Sequence, residues 1–270
     1  MNKIHLIGSG GFIGSAVRNQ AGPIPLHCWS HTSQNVDSYF DLYDSSSWEA
    51  LLASKPDIAI LLSWPGLPNY QQNFHVTRNL PASIQLVECL IDSGIKRIVV
   101  AGTCYEYGMQ HGPLLESQVP DPVNLYAIAK DSFRRSLSFM CGRENIIWSW
   151  LRIFYPFGKG QRSDSFLPAI EDSIELGKSI FPMSSGRQLR DYVSVDFVGS
   201  QLLLLATHPK AAGIYNCGSG KPQSLRELAE TLVARNNSSI QLGLGLYPDR
   251  ADEPLAFWAD MGKLNQLSII

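Results

Sequence analysis

An apolar run near the start of this chain breaks off into three evenly spaced glycines: KIHLIGSGGFIGSAV, with Gly8, Gly11 and Gly14. The run over 3–8 reads as a buried strand, and 13–19 carries the periodicity of a helix. A strand that passes at once into a helix needs glycine, because a Cβ would block so sharp a turn. The turn also aims backbone N–H groups and a helix N-terminus at one point, an arrangement that suits a pyrophosphate. Glycines serve any tight βα turn, so the spacing alone is a weak signal. Its place directly behind the first strand gives it weight. The expectation is a dinucleotide-binding turn that includes Phe12 and Ile13.

The alternation continues beyond the turn. Strand patterns over 25–30, 58–63, 97–102 and 146–153 alternate with helical patterns over 47–54, 80–93 and 126–141, as parallel βαβ units require. After residue 153 turn residues multiply, and FYPFGKGQRSDSFLPAIEDSIELGK holds a single helix. A late strand over 213–218 then precedes a helix that opens with a capping box, Ser224 with Glu227 three positions on. The expected fold is α/β: a doubly wound parallel sheet (Rossmann) with a smaller C-terminal substrate-binding region. Residues 1–155 would form the dinucleotide domain, a segment near 190–218 would return to it, and 156–270 would mainly bind substrate.

Charge and composition exclude several classes. A formal net charge of −2 argues against nucleic acid and anionic membrane as partners. No apolar run is long enough to span a bilayer, and the N-terminus reads as strand and turn rather than signal peptide. Cys28, Cys89, Cys104, Cys141 and Cys217 are scattered, odd in number and without metal-ligand spacing. They are expected to be reduced cytoplasmic thiols, with no metal site.

The choice of dinucleotide turns on the end of the second strand, where an Asp or Glu would accept from a ribose 2′-OH and repel a 2′-phosphate. This chain reads CWSHTSQN there. Ser30, His31 and Thr32 can hydrogen-bond a phosphate, so NADP(H) is favoured and NAD(H) is the alternative. Asp41 lies further along and suits the adenine edge.

Tyr126 and Lys130 fall four residues apart in YAIAK and so share one helix face. A free phenol titrates near pH 10; an ammionium one turn away would lower that value and make proton transfer possible near neutrality. The fourth strand ends in a hydroxyl, Thr103, where a parallel sheet binds its ligands. A Tyr–Lys pair alone is common on solvated helices. Together with Thr103 and the glycine turn, it points to a catalytic set.

Taken with Asn79 and Glu88 in NLPASIQLVECLIDSGIKRIVV, GTCYEYG, LRIFYPFGKGQ, RDYVSVDF, YNCGSGKPQSLRELA and FWADMGKL, these motifs resemble the extended short-chain dehydrogenases/reductases. That family contains sugar-nucleotide epimerases, dehydratases and reductases, and the wording is nearest its short 4-ketoreductases. The resemblance implies Tyr126 as proton donor or acceptor, Lys130 as its electrostatic partner and ribose contact, and Thr103 as ligand of the substrate oxygen. It extends the cofactor contacts to Leu42, Leu62, Ser63, Asn79 and Phe154. It places substrate contacts at Tyr105, Tyr155, Phe157, Arg190 and Arg250. It also implies a homodimer built on a four-helix bundle from the helices at 80–93 and 126–141.

Departures from the family pattern narrow the reaction. A 4,6-dehydratase would place Asp and Glu where this chain has Cys104 and Tyr105, so elimination of water is not expected. Cys104 falls one residue away from the place of the family's carbon-acid cysteine, which turns its side chain to the other face of the strand end. Tyr155 replaces the usual Asn of the RxFNxYGP segment. The expected activity is NADPH-dependent reduction of a nucleotide-linked 4-keto-6-deoxyhexose. A 4-epimerase with tightly held NAD⁺ and a non-catalytic NAD(P)-binding scaffold are the alternatives.

Overall fold

The computed structural model describes residues 2–31, 36–249 and 253–267. The first half runs β1 (Ile4–Ile7), α1 (Phe12–Gln20), β2 (Leu26–Ser30), β3 (Ser38–Tyr39), α2 (Glu49–Ala53), β4 (Ile58–Leu61), α3 (Leu80–Asp92), β5 (Arg97–Thr103), β6 (Gly112–Leu114), α4 (Leu125–Arg143) and β7 (Ile147–Ile153). The second half runs β8 (Tyr155–Phe157), α5 (Phe166–Glu175), β9 (Ile180–Pro182), β10 (Leu189–Arg190), β11 (Tyr192–Ser194), α6 (Val195–Thr207), β12 (Gly213–Cys217), β13 (Gln223–Ser224), α7 (Leu225–Arg235), β14 (Gln241–Gly243), β15 (Phe257–Ala259) and α8 (Gly262–Leu267).

Seven parallel strands form the central sheet in the order β12-β7-β5-β4-β1-β2-β3. The chain works outward from β1 to β3, then crosses back to β4 beside β1 and works outward the other way. Connections leave β1 and β4 in opposite directions, and the crevice they open lies at the carboxyl ends of those strands. Side chains alternate across the sheet: in β4, Ile58 and Ile60 enter one core, while Ala59 and Leu61 enter the other. The first core takes Val17 of α1, Val198 and Leu202 of α6 and Leu264 of α8. The second takes Leu51 of α2, Leu86 and Leu90 of α3 and Phe133 and Leu137 of α4. Each such side chain removed from water contributes about 1.5–3 kcal/mol, so both helical layers are held by burial.

The chain after residue 155 divides between two roles. β12 pairs with β7, and α6 packs on α1, closely enough that a Cβ on Gly199 would lie 2.8 Å from the Ala16 carbonyl carbon. α5, α7, β9 and β14 gather instead around their own core of Ile170, Phe181, Met183, Ala229 and Ile240. β15 pairs in parallel with β6 and covers a third cluster containing Cys104, Tyr107 and Phe154. Neither of those short strands shows in the residue pattern. The helical pattern over 47–54 also divides: Asp44 accepts from the Ser46 N–H (3.0 Å) and starts a 3-10 turn, Ser45–Trp48, ahead of α2.

Candidate active site

The three glycines between β1 and α1 do different work. Gly8 has φ +91°, and a Cβ on it would lie 2.7 Å from the Ser63 nitrogen behind β4. A Cβ on Gly14 would lie 2.4 Å from the Gly8 carbonyl oxygen. Both glycines are thus demanded by the fold itself. Gly11 is different: a Cβ there would meet nothing closer than 3.7 Å. Gly11 is the N-cap of α1, with no side-chain cap and no acidic residue in the first turn. A cradle kept bare without internal need, at an uncapped helix N-terminus, fits the pyrophosphate of a dinucleotide.

The remaining cofactor candidates lie around this turn. Ser30, at the end of β2, is buried, and His31 beside it is exposed. Thr32 lies outside the described residues. Leu62 and Ser63 continue β4 against Gly8. Leu42 is buried near Ser63 and Lys130 around a void with room for about one water. Asp41 accepts from the Tyr43 N–H (2.8 Å), so one of its oxygens is engaged by its own loop. Asn79 is fully buried, donating to the Pro65 carbonyl (2.9 Å) and accepting from the Tyr43 hydroxyl. Phe154 is buried in the Cys104 cluster below the site.

β5 ends at Thr103, which opens a capping box over the 3-10 turn Cys104–Tyr107. The Thr103 N–H donates to the Glu106 carboxylate (3.0 Å), and the Thr103 hydroxyl accepts from the Tyr105 N–H (3.3 Å). On α4, the Asn124 side chain caps the helix by accepting from the Ala127 N–H (2.8 Å), which sets Tyr126 in the first turn. The Thr103 hydroxyl lies near enough to the Tyr126 phenol to favour its ionised form, and both residues are buried. The structure therefore brings these two catalytic candidates together.

Lys130 lies one turn further along α4, also buried, but its ammonium does not rest on the phenol. It sits over the Trp64 ring, 4.4 Å from the centroid, and 5.0 Å from that of Trp150. Burial holds the amine down to about 7, against the pull of the Glu106 carboxylate. Burial likewise pushes the Tyr126 phenol far up, Tyr70 adds to the effect, and the nearby Thr103 hydroxyl opposes it. The expectation that Lys130 lowers the phenol is thus corrected for the free protein. Desolvation of a buried phenol outweighs a charge held in an aromatic box.

On the substrate side, tyrosine rings succeed one another. Tyr70 lies 5.5 Å from Tyr126 and 5.1 Å from Tyr105, and Tyr105 lies 6.2 Å from Tyr155. Phe157 is partly exposed beyond Tyr192. A cleft of about 300 Å³ opens beside Tyr70 and Tyr105, with Asn124 and Glu253 in its walls. Arg190 is buried behind it, donating to the Glu253 carboxylate (2.8 Å) and to the Pro254 carbonyl (2.9 Å). Its guanidinium is thus engaged by protein groups. Arg250 lies outside the described residues. Cys104 is buried, and burial pushes its thiol far above the usual range. It is packed, as expected, but by its place at the start of the 3-10 turn, against Phe154 and Phe257, rather than by strand alternation.

Several residues that shape this site escaped the sequence reading. Glu106 is fully buried and accepts from Trp150 Nε1 (2.8 Å) and Arg152 Nε (2.8 Å). Its signal was present, since TCYE has the capping-box spacing. Trp64, Tyr70 and Glu253 carry no such local signal.

The family model described as "NAD dependent epimerase/dehydratase family" matches residues 4–218. The dTDP-6-deoxy-L-talose 4-dehydrogenase (NAD(+)) of Aggregatibacter actinomycetemcomitans is 29% identical over 222 residues, 82% of this chain and 82% of that protein. RMD from Pseudomonas aeruginosa, solved with NADPH, has the same fold: TM-score 0.84 at 21% identity, over 99% of this chain and 92% of that one. MoeE5, solved with UDP-glucuronic acid and NAD, gives TM-score 0.84 at 22% identity, over 98% of this chain and 92% of that one. The bare glycine cradle, the Thr103–Tyr126 pair and a family match over most of the sequence agree that this chain belongs to the NAD dependent epimerase/dehydratase family and is an NAD(P)-dependent oxidoreductase.

Proposed function

We propose that this protein modifies a nucleotide sugar by reducing the 4-keto group of a nucleotide-linked 4-keto-6-deoxyhexose, with NADPH as reductant. When bound, the reduced cofactor would supply the hydride that C4 takes up. Thr103 donates a hydrogen bond to the C4 oxygen, and Tyr126 transfers its proton to that oxygen as the alcohol forms. Solvent then reprotonates the phenolate. Gly8, Gly11 and Gly14 with the α1 N-terminus would hold the pyrophosphate, and Lys130 would leave its aromatic box for the nicotinamide ribose.

The observation that favours chemistry at C4 over elimination of water or enolisation at C3 and C5 is the state of the loop after Thr103, and it leaves a 4-epimerase as the alternative. Cys104 is buried with its thiol pushed far up, and burial pushes the Tyr105 phenol well above its ordinary value. Neither can take a proton from carbon near neutral pH, which leaves hydride and proton delivery at C4. The talose relative's name describes redox chemistry at C4 of a 6-deoxyhexose, and the reverse of that reaction is a 4-keto reduction.

The NADP preference is supported by the end of β2. Among the described residues there, Ser30 and His31 bring no carboxylate, and Asp37 accepts from the Cys28 N–H (2.7 Å). Tighter binding of NADH than NADPH in a fluorescence titration would reverse this part of the reading. A cytoplasmic homodimer completes the proposal.

The deciding assay supplies a nucleotide-linked 4-keto-6-deoxyhexose with NADPH in D₂O and follows the sugar by NMR. Simple reduction consumes one cofactor per sugar and leaves C3 and C5 free of deuterium. Deuterium at either carbon would reveal an enolising base, and inversion at C4 without net cofactor loss would establish the epimerase.

A further inference from the structure

The cleft beside Tyr105 has walls of a particular chemistry. Asn69, Gln72 and Asn124 bring amides, and Tyr70 and Tyr105 bring aromatic rings. Among the described residues lining it, Glu253 carries the single formal charge, and it is negative. Amides and aromatic rings suit the hydroxyls and C–H faces of a pyranose. The carboxylate adds a preference about charge.

Glu253 is held in place from behind. Arg190 is 4% exposed and donates to Glu253 Oε2 (2.8 Å), while its other donated bonds go to the carbonyls of Leu189, Pro254 and Leu255. The guanidinium also stacks near Phe257 (5.2 Å) and Tyr155 (5.5 Å). This arrangement fixes the carboxylate and keeps the arginine from reaching into the cleft as a free cation. The field of Glu253 reaches the cleft at Tyr105, whose phenol it helps to raise after burial, Tyr155 and Tyr70; deeper in, at Tyr155 and Tyr192, the Arg190 guanidinium opposes and outweighs it.

From this arrangement we infer that Glu253 determines which sugars are accepted: hexoses whose ring substituents are neutral or cationic are taken, and uronates are refused. A hydroxyl or ammonium on the sugar can donate to the carboxylate. A sugar carboxylate would face a like charge whose position Arg190 fixes, and discrimination by repulsion is an economical route to specificity. The inference rests on the reading of this cleft as the sugar site. It sets the chain apart from MoeE5, which was solved with UDP-glucuronic acid.

The test measures binding by calorimetry on the cofactor-loaded protein, so that no turnover is required. Matched pairs are used: UDP-glucose with UDP-glucuronate, and GDP-mannose with GDP-mannuronate. For whichever nucleotide binds, the neutral sugar should bind at least about tenfold more tightly than its uronate, on the order of the 1.4 kcal/mol that tenfold represents. Glu253→Gln should bring the pair to within about threefold. Gln72→Lys, which leaves the Arg190 pair untouched, should narrow the gap in the same direction even if Glu253→Gln fails to fold. Equal or tighter uronate binding by the wild type, or an unchanged gap in both variants, overturns the inference. If no nucleotide sugar binds, the functional reading falls with it. If the neutral sugars bind selectively but the 4-keto substrate is not reduced, only the proposed reaction is lost.

Discussion

Tyr126 and Lys130 share a helix face, yet in the free protein the phenol lies beside Thr103 while the ammonium lies against Trp64 and Trp150. If Tyr126 is the proton donor, Tyr126→Phe should lower turnover by roughly 10²–10⁴-fold, with little change in cofactor affinity. Near-normal turnover by the folded variant would remove Tyr126 from the mechanism. Lys130 makes a separate prediction through linkage. Its amine is lowered from 10.5 to about 7, so between those values the unfolded chain binds the proton that the folded chain does not. Stability from this group therefore rises with pH across that window, by at most about 1.4 kcal/mol per pH unit. Urea unfolding of wild type and Lys130→Met at pH 7, 8 and 9 should show wild type gaining on the variant. A constant difference would mean the amine stays charged when buried. The spacing of YAIAK made the shared face legible. The aromatic box was not legible, because Trp64 and Trp150 reach Lys130 from two other elements whose register no local pattern reports.

The glycine turn and the Thr103 turn are each a short element with a separable structural part. Gly14→Ala would drive a methyl group into the Gly8 carbonyl, an overpacking that costs about 1–3 kcal/mol. Gly11→Ala has space for its methyl group, so its unfolding midpoint should stay near wild type while cofactor binding weakens about tenfold. Thermal melts paired with cofactor titrations separate the two, and a Gly11→Ala protein with full cofactor affinity would argue against the cradle. At the end of β5, Glu106→Ala would strand the buried Arg152 guanidinium, a loss on the order of 3–5 kcal/mol, visible as a lower urea midpoint. Glu106→Gln should lose less, since its side-chain carbonyl oxygen can still accept from Trp150. Turns of this kind are readable where their chemistry is local. Ser224 with Glu227 was read from its spacing, and Thr103 with Glu106 has the same spacing and forms the same box. β6 and β15 were not readable. They are three residues each, they pair across a long stretch of chain, and nothing in either segment names the other.

At the scale of the molecule, the parallel sheet was legible because each βαβ unit announces itself by a change of period. The way the second half divides between sheet and cleft depends on contacts between distant segments, such as Arg190 with Glu253. One surface feature still calls for a partner. Along α4, Ile128, Ser132, Arg135 and Phe139 follow the spacing of a single helix face; Ile128 is 38% exposed and Phe139 69%. α3 packs beside α4 and presents Gln85 and Glu88 to solvent. A phenylalanine this exposed on a mixed helical face suits a two-fold interface, where the same patch from a second copy covers it. The homodimer should therefore form through α3 and α4, with Phe139 near its centre. Light scattering at micromolar concentration should give twice the 29.9 kDa chain mass. Phe139→Glu places like charges opposite one another across the axis and should return the single-chain mass, with its far-UV spectrum unchanged because the side chain lies outside both cores. A wild-type protein that scatters as one chain would refute the dimer. A Phe139→Glu protein that stays dimeric would move the interface to another face.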